Sequence, residues 1–468
     1  MKNGIKNLSI SFIANLVTII VSFIVTLFLP KIISVEQYGY WQVYLFYSTY
    51  VGILHLGLND GIYLRYGGEE YNDLNFKLFY GEFKILFNFE LIAMLIIIFV
   101  SCVFFNGSYK YIWVSLGICA FLTNLRYMFV YILQATNLIR EFAIVTIIDR
   151  VVFVLLVLFF CISKNANFNM VIISDLSGRV ISLLVGMYFC KEVIVQHNKV
   201  NSIVWKEIKQ NIIAGSQLMF ANLASSCIIG VVRYGIQKNW SIAIFGKISL
   251  MLSLSNFFVI FINAMGVVIY PILRRTDSSK RNEFYFAIDK MLDVILFSLL
   301  ILYYPAKLII SWWLPQYSDV MHYICILFPV YIFEGKMALL FNTYLKVYRK
   351  ENVIFKINIL CLSISVIYTL LVTYIFKNLN LAVLGMLLLI AFRCVVSQIY
   401  CSKMLNIEYK SSLLGLSVGI VIYLVCGTIL SDLVGSILMF TWIMIYIYIY
   451  IYIPNIKKAA IILLYNRN

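Results

Sequence analysis

Apolar stretches of roughly twenty residues, the length needed to cross a bilayer as a helix, repeat from Leu8 to Ile453 with short polar gaps between them. The runs are continuous and lack the period-two alternation of barrel strands. Fourteen helical spans are predicted, at about 8–33, 41–64, 79–105, 109–136, 141–162, 169–190, 211–236, 241–273, 284–304, 320–345, 354–376, 381–404, 412–430 and 434–453. Backbone groups in hydrocarbon must be satisfied within their own segment, so long apolar runs of this kind are helices.

The gaps alternate in charge. Connections after odd-numbered spans hold six basic residues: Lys31, Lys110, Lys164, Lys238, Lys307 and Lys377. The N-terminus, the even-numbered connections and the C-terminus hold twenty-two, among them Arg274, Arg275, Lys280, Arg281, Arg349 and Lys350. Basic loops stay on the cytoplasmic side, so both termini are expected in the cytoplasm. The first span follows only Lys2 and Lys6 and is too long for a signal-peptide core, which makes it a retained helix.

Composition agrees: 63% of the 468 residues are hydrophobic and 12% charged, too few polar groups to cover a soluble chain of this length. The net charge of +16 forms no basic tail or soluble basic domain, so it reads as topology and not as nucleic-acid binding. Ten scattered Cys have neither zinc-ligand spacing nor a disulfide framework. No phosphate-binding Gly-rich loop, nucleophile elbow or HExxH is present, so neither ATP-driven transport nor an enzyme has support. No cofactor or metal is expected.

Nine bases remain inside the spans: Lys84, Arg126, Arg150, Arg179, Arg233, Lys247, Lys290, Lys336 and Arg393. Each costs about 2.5–3.5 kcal/mol on insertion scales unless it reaches water or a partner. Lys84 and Lys290 lie near cytoplasmic ends and can snorkel. Arg179 follows Asp175 by four residues, the spacing of an ion pair on one helix face. Over both halves the nine embedded bases outnumber the acids, of which Asp60, Asp149, Asp175 and Glu334 lie well within spans, and this predicts a cavity for an anion such as phosphate, pyrophosphate or an acidic sugar. From depth, Arg126, Arg150 and Lys336 are the first candidates for anion contact, followed by Arg233 and Arg393; Asp60 and Glu334 are candidates for ion or proton coupling. His55 lies five residues before Asp60 and titrates near neutrality when unperturbed.

An aromatic-Gly pair recurs, as Tyr38-Gly39 and Phe245-Gly246, at matching places in two sets of six spans. It suggests two six-helix lobes, 1–200 and 201–406, with 407–468 supplying two further transmembrane helices and a cytoplasmic tail.

The opening Asn7-Leu-Ser-Ile-Ser-Phe-Ile-Ala-Asn15, the stretch Tyr38-Gly39-Tyr40-Trp41, and Leu56-Gly57-Leu58-Asn59-Asp60-Gly61-Ile62 running to Tyr63-Leu-Arg65-Tyr66 resemble the start of Wzx-type polysaccharide-unit flippases. These belong to the multidrug/oligosaccharidyl-lipid/polysaccharide (MOP) exporter superfamily. The resemblance implies an all-α membrane protein of about fourteen transmembrane helices, with two six-helix lobes in a MATE-like V plus two C-terminal helices. It implies a substrate as well: an undecaprenyl-pyrophosphate-linked oligosaccharide flipped from the cytoplasmic to the outer leaflet of a bacterial cytoplasmic membrane. Coupling to H+ or Na+, contact with membrane lipids, and work beside a polysaccharide polymerase and assembly proteins follow from the same likeness. A multidrug or cation antiporter of the same architecture is the nearest rival, ahead of a membrane polysaccharide polymerase or ligase.

Topology mapping tests the loop charges. Reporters active only in the cytoplasm, fused after Met1 or Asn468, are expected to be active at both ends; an outside location for either overturns the assignment.

Overall fold

The computed structural model describes residues 17–18, 20–196, 201–257, 281–407 and 410–451. The opening motif at 7–15, the end of the eighth predicted span at 258–273 and the tail beyond 451 lie outside the described residues. Every described element is helical. The order is α1 (Ile20–Ile32), α2 (Val35–Ser48), α3 (Leu58–Arg65), α4 (Phe76–Phe104), α5 (Gly107–Ala135), α6 (Ile139–Ile162), α7 (Phe168–Phe189) and α8 (Lys191–Val195). There follow α9 (Ser202–Asn239), α10 (Ile242–Phe257), α11 (Arg281–Trp313), α12 (Pro315–Val347), α13 (Glu351–Ile375), α14 (Leu379–Leu405), α15 (Lys410–Thr428) and α16 (Asp432–Ile451).

Among the described residues, nine helices are long and apolar enough to cross a membrane, and four shorter apolar helices accompany them. This is an all-α, multi-pass membrane protein. Helix starts follow local chemistry: Ser34, Asn75, Asn167 and Asn378 each accept, through a side-chain oxygen, the N–H of the residue three further on. Those caps satisfy donors that water would otherwise have to reach.

The chain forms two compact units. One runs to Leu223 and takes in Ile242–Gly246; the other comprises Ala224–Ser241 and the chain from Lys247 onward. In the first, α5 is the central post, packed against α2, α3, α4, α6 and α7. Its core is built from Leu125, Met128, Phe129, Ile132 and Leu133 with Phe79, Leu86 and Val145. The two glycines of the recurring aromatic-Gly pair meet in this unit: a Cβ on Gly246 would lie 2.7 Å from the Gly39 Cα. In the second unit α14 packs on α12 and α13, and α11 on α12, α15 and α16. Helices α12 and α13 each contain a π-helical turn, at Met337–Phe341 and Leu370–Ile375.

The predicted second span, 41–64, is not one helix. It breaks into α2, a 3-10 turn at Val51–His55 and α3, with Leu56 (φ 53°) and Gly57 (φ 87°) both left-handed. Apolar content gave no sign of the break, since the interrupted residues are themselves apolar. What ends the helix is backbone geometry, which Gly57 adopts at no steric cost. Gly57 and Gly61 then let α3 lie directly on α9: a Cβ on Gly57 would sit 2.6 Å from the Ser216 nitrogen, and one on Gly61 would overlap the Asn211 backbone. Asn124 of α5 bridges the break. Its Nδ2 donates to the Val51 carbonyl (3.1 Å), and its own carbonyl accepts from Asn59 Nδ2 (2.9 Å).

Gly61→Ala is therefore expected to cost about 1–3 kcal/mol by overpacking, read as a lower unfolding temperature in detergent. Gly52→Ala, whose new methyl would meet only the His55 Nε2 at 3.8 Å, is expected to change little. Equal behaviour of the two variants would remove the close α3–α9 approach as a source of stability.

Candidate functional site

The embedded charges of the first unit converge. On α7, Asp175, Arg179 and Ser182 share one face by their four- and three-residue spacing. On α5, Thr123 and Arg126 do the same. Between them α6 supplies Asp149 and Arg150, brought close because Gly178 of α7 has no side chain to hold off the Asp149 carbonyl. Asp175 Oδ2 accepts from Arg179 Nε (2.8 Å) and from the Tyr44 hydroxyl of α2 (2.7 Å). Arg179 Nη1 also donates to Thr123 Oγ1 (2.6 Å). Arg126 Nη1 lies 3.3 Å from Asp149 Oδ2 and 3.5 Å from Ser182 Oγ. The expected pairing of Arg179 with Asp175 is thus present.

Arg150 stands apart. Its Nε is 4.0 Å from Asp149 and its Nη1 3.9 Å from Asp175, the longest ion-pair contacts in the cluster. Its side chain is 32% exposed, against 8% for Arg126 and for Arg179. Three guanidinium groups face two carboxylates, so the cluster keeps one positive charge, and Arg150 is the member with room to move. A guanidinium in that position can take an anion through two parallel N–H bonds. The Arg126 guanidinium also lies over the Tyr127 ring, 5.2 Å from its centroid, and Tyr127 stacks on Tyr131.

Asp60 is buried in the first turn of α3, with its Oδ2 3.7 Å from His55 Nε2. His55 Nδ1 accepts the Gly57 N–H (3.1 Å), which directs the ring proton of the neutral form to Nε2, toward Asp60.

In the second unit the candidates are held by separate sets of partners. Lys336 has no exposed surface and its ammonium is shared by Asp289 (2.6 Å) and Asp293 (2.7 Å) of α11. Those acids stand four residues apart, a spacing that puts them on one face and that the sequence already displayed. Arg393 donates to Glu334 Oε2 (2.6 Å) and to Ser225 Oγ (2.6 Å). Arg233 donates to Ser249 Oγ (3.0 Å), and Lys247 is bound by Asp319 (2.7 Å). Lys290, expected to snorkel, is instead buried at 3% exposure with its ammonium 5.6 Å from the Phe286 ring centroid. Acids therefore neutralise more of the embedded bases than the sequence count implied. Among the described residues, no group of three or more His, Cys, Asp and Glu could hold a metal ion.

No protein-family model and no curated protein sequence matches the chain. Solved structures do. The lipid II flippase MurJ, in an inward closed conformation, superposes with a TM-score of 0.66 at 13% identity over 95% of this chain and 98% of that one. An inward-facing multidrug resistance MATE family transporter of the MOP superfamily gives 0.61 at 11% identity over 84% and 98%. A MATE in complex with MaD5 gives 0.55 at 12% identity over 86% and 96%. The fold is that of the MOP transporters. These likenesses share architecture, while the charged clusters above are properties of this chain's own residues.

Removing one partner of a buried pair strands the other, at about 3–5 kcal/mol. Asp175→Ala is expected to lose stability of that order in detergent unfolding, and Asp175→Ala combined with Arg179→Met to recover most of it. A double variant as unstable as the single one would mean that pairing is not what Asp175 contributes.

Proposed function

We propose that the chain is a membrane transporter that flips an anionic lipid-linked oligosaccharide, in the sequence reading an undecaprenyl-pyrophosphate-linked unit, from the cytoplasmic to the outer leaflet of a bacterial cytoplasmic membrane. The observation that carries this reading is the unbalanced cluster of Arg126, Asp149, Arg150, Asp175 and Arg179, with its residual positive charge on the partly exposed Arg150. A pyrophosphate crossing hydrocarbon needs charge compensation, and one loosely held guanidinium provides it without leaving a bare cation when the cargo departs. The likeness to a lipid II flippase over 95% of the chain supports the same direction. On this reading the two lobes, 1–200 and 201–406, alternate access to the two faces, 407–468 adds its two helices, and both termini are cytoplasmic. Arg126 is the second anion contact; Lys336, Arg233 and Arg393 follow. Asp60 and Glu334 stay as coupling candidates for H+ or Na+, although Glu334 is engaged by Arg393.

The second reading is a multidrug or cation antiporter. The MATE likenesses favour it, as does the neutralisation of Lys336 by two carboxylates, which removes positive charge from the second unit.

Binding by the purified protein separates them. A pyrophosphate-bearing polyprenyl lipid is expected to bind, and Arg150→Ala to weaken it by about tenfold or more, the scale of one charge-assisted contact. In cells without a second flippase the same variant is expected to lower surface polysaccharide. Binding of lipophilic cations in place of the anionic lipid, indifferent to Arg150→Ala, would establish the second reading.

A further inference from the structure

We propose that Glu90 is a proton-binding site, and that the proton it holds keeps the interrupted α2–α3 segment closed around Asn124. Glu90 lies midway along α4, about 21 Å from its first residue at 1.5 Å per residue, and has no exposed surface. Its Oε1 accepts from Asn124 Nδ2 at 2.8 Å. Its Oε2 is buried with no hydrogen-bond partner among the described residues.

The contrast with the other enclosed acids makes the case. Asp149, Asp175, Asp289 and Asp293 each have an Arg or Lys within ion-pair distance, Asp60 has His55, and Glu82 is bonded to an amide, Asn211, that itself accepts from Arg65. Among the described residues Glu90 forms no ion pair, and its one bonded neighbour is a neutral amide. A bare carboxylate enclosed in this way costs several kcal/mol even after relaxation, far more than a neutral carboxylic acid. The acid therefore carries its proton here.

The elements packed on α4 supply no competing charge at this depth. From α5 the facing group is Asn124. The 3-10 turn brings His55, already engaged by the Gly57 N–H and facing Asp60. Helix α8 offers Lys191 and Glu192 to the first turns of α4, where Glu192 accepts from the Tyr71 hydroxyl. On α4 itself Glu82 accepts from Asn211, two turns away from Glu90.

What the proton does follows from Asn124. One N–H of that amide goes to Glu90 and the other to the Val51 carbonyl, while the Asn124 backbone carbonyl takes Asn59. Asn124 thus holds both edges of the interruption, and Glu90 holds Asn124. If the proton leaves Oε2 for water, the charge left behind is relieved only when water or a cation reaches it. That requires the packing of α4 on Val51–His55 to open. Proton bound, the segment is held; proton lost, it is released. This assignment does not depend on the identity of the cargo.

Two measurements on the full chain in liposomes test it. An infrared difference spectrum between low and high pH is expected to contain a protonated-carboxyl band that Glu90→Gln removes and Glu82→Gln keeps. Hydrogen exchange, corrected for its intrinsic pH dependence, is expected to show protection of residues 51–57 falling about tenfold per pH unit as the pH rises toward the titration point of that band and staying low above it. Glu90→Gln is expected to hold the segment closed at every pH. Asn124→Ala is expected to keep the band and abolish the pH dependence of exchange, which serves as the test should Glu90→Gln fail to fold. A wild type without the band, or the same pH-dependent exchange in wild type and either variant, would overturn the proposal.

Discussion

A polar side chain carried into hydrocarbon has to bring its partner with it, and the buried polar contacts described above follow from that requirement. Arg179 has Asp175, Lys336 has two carboxylates, Arg393 has Glu334, and the break between α2 and α3 has Asn124. Each group lies on a different helix from at least one of its partners, so the charges also act as registration pins between helices. A one-turn slip of α7 past α5 would leave Thr123 and Ser182 without the guanidinium groups that now reach them.

Where the requirement is met in full, the group must give up its partners before it can take a ligand; where it is met loosely, the group stays available for chemistry. Lys336, with no exposed surface and two short contacts, belongs to the first kind. Arg150, with two long contacts and a third of its side chain exposed, belongs to the second. Depth along the sequence gave both residues equal standing, because depth reports the cost of a charge and says nothing of who shares it.

The membrane class and the helical content were legible in the length and continuity of the apolar runs. So was the Asp175–Arg179 pair, since one helix face brings the two residues together whatever the tertiary fold. Asp149 with Arg126, and Asp289 and Asp293 with Lys336, join residues on different helices, and no local spacing encodes which helix meets which. The interruption at Leu56–Gly57 was hidden for another reason. The turn consists of residues as apolar as a helix, and its distinguishing property is a pair of left-handed backbone conformations. The Gly-x-x-x-Gly spacing of Gly57 and Gly61 was visible, yet its partner surface on α9 became identifiable only once the helices were placed.

Helix α5 also has a history imposed by the order of synthesis. It emerges with Arg126 already in its interior, while the carboxylates that neutralise the cluster, Asp149 and Asp175, come later on α6 and α7. Until those helices arrive, the guanidinium has to be tolerated at the insertion site or kept near water. The charge compensation seen within residues 107–189 is therefore complete only when all three helices are together, with α7 supplying the last acid.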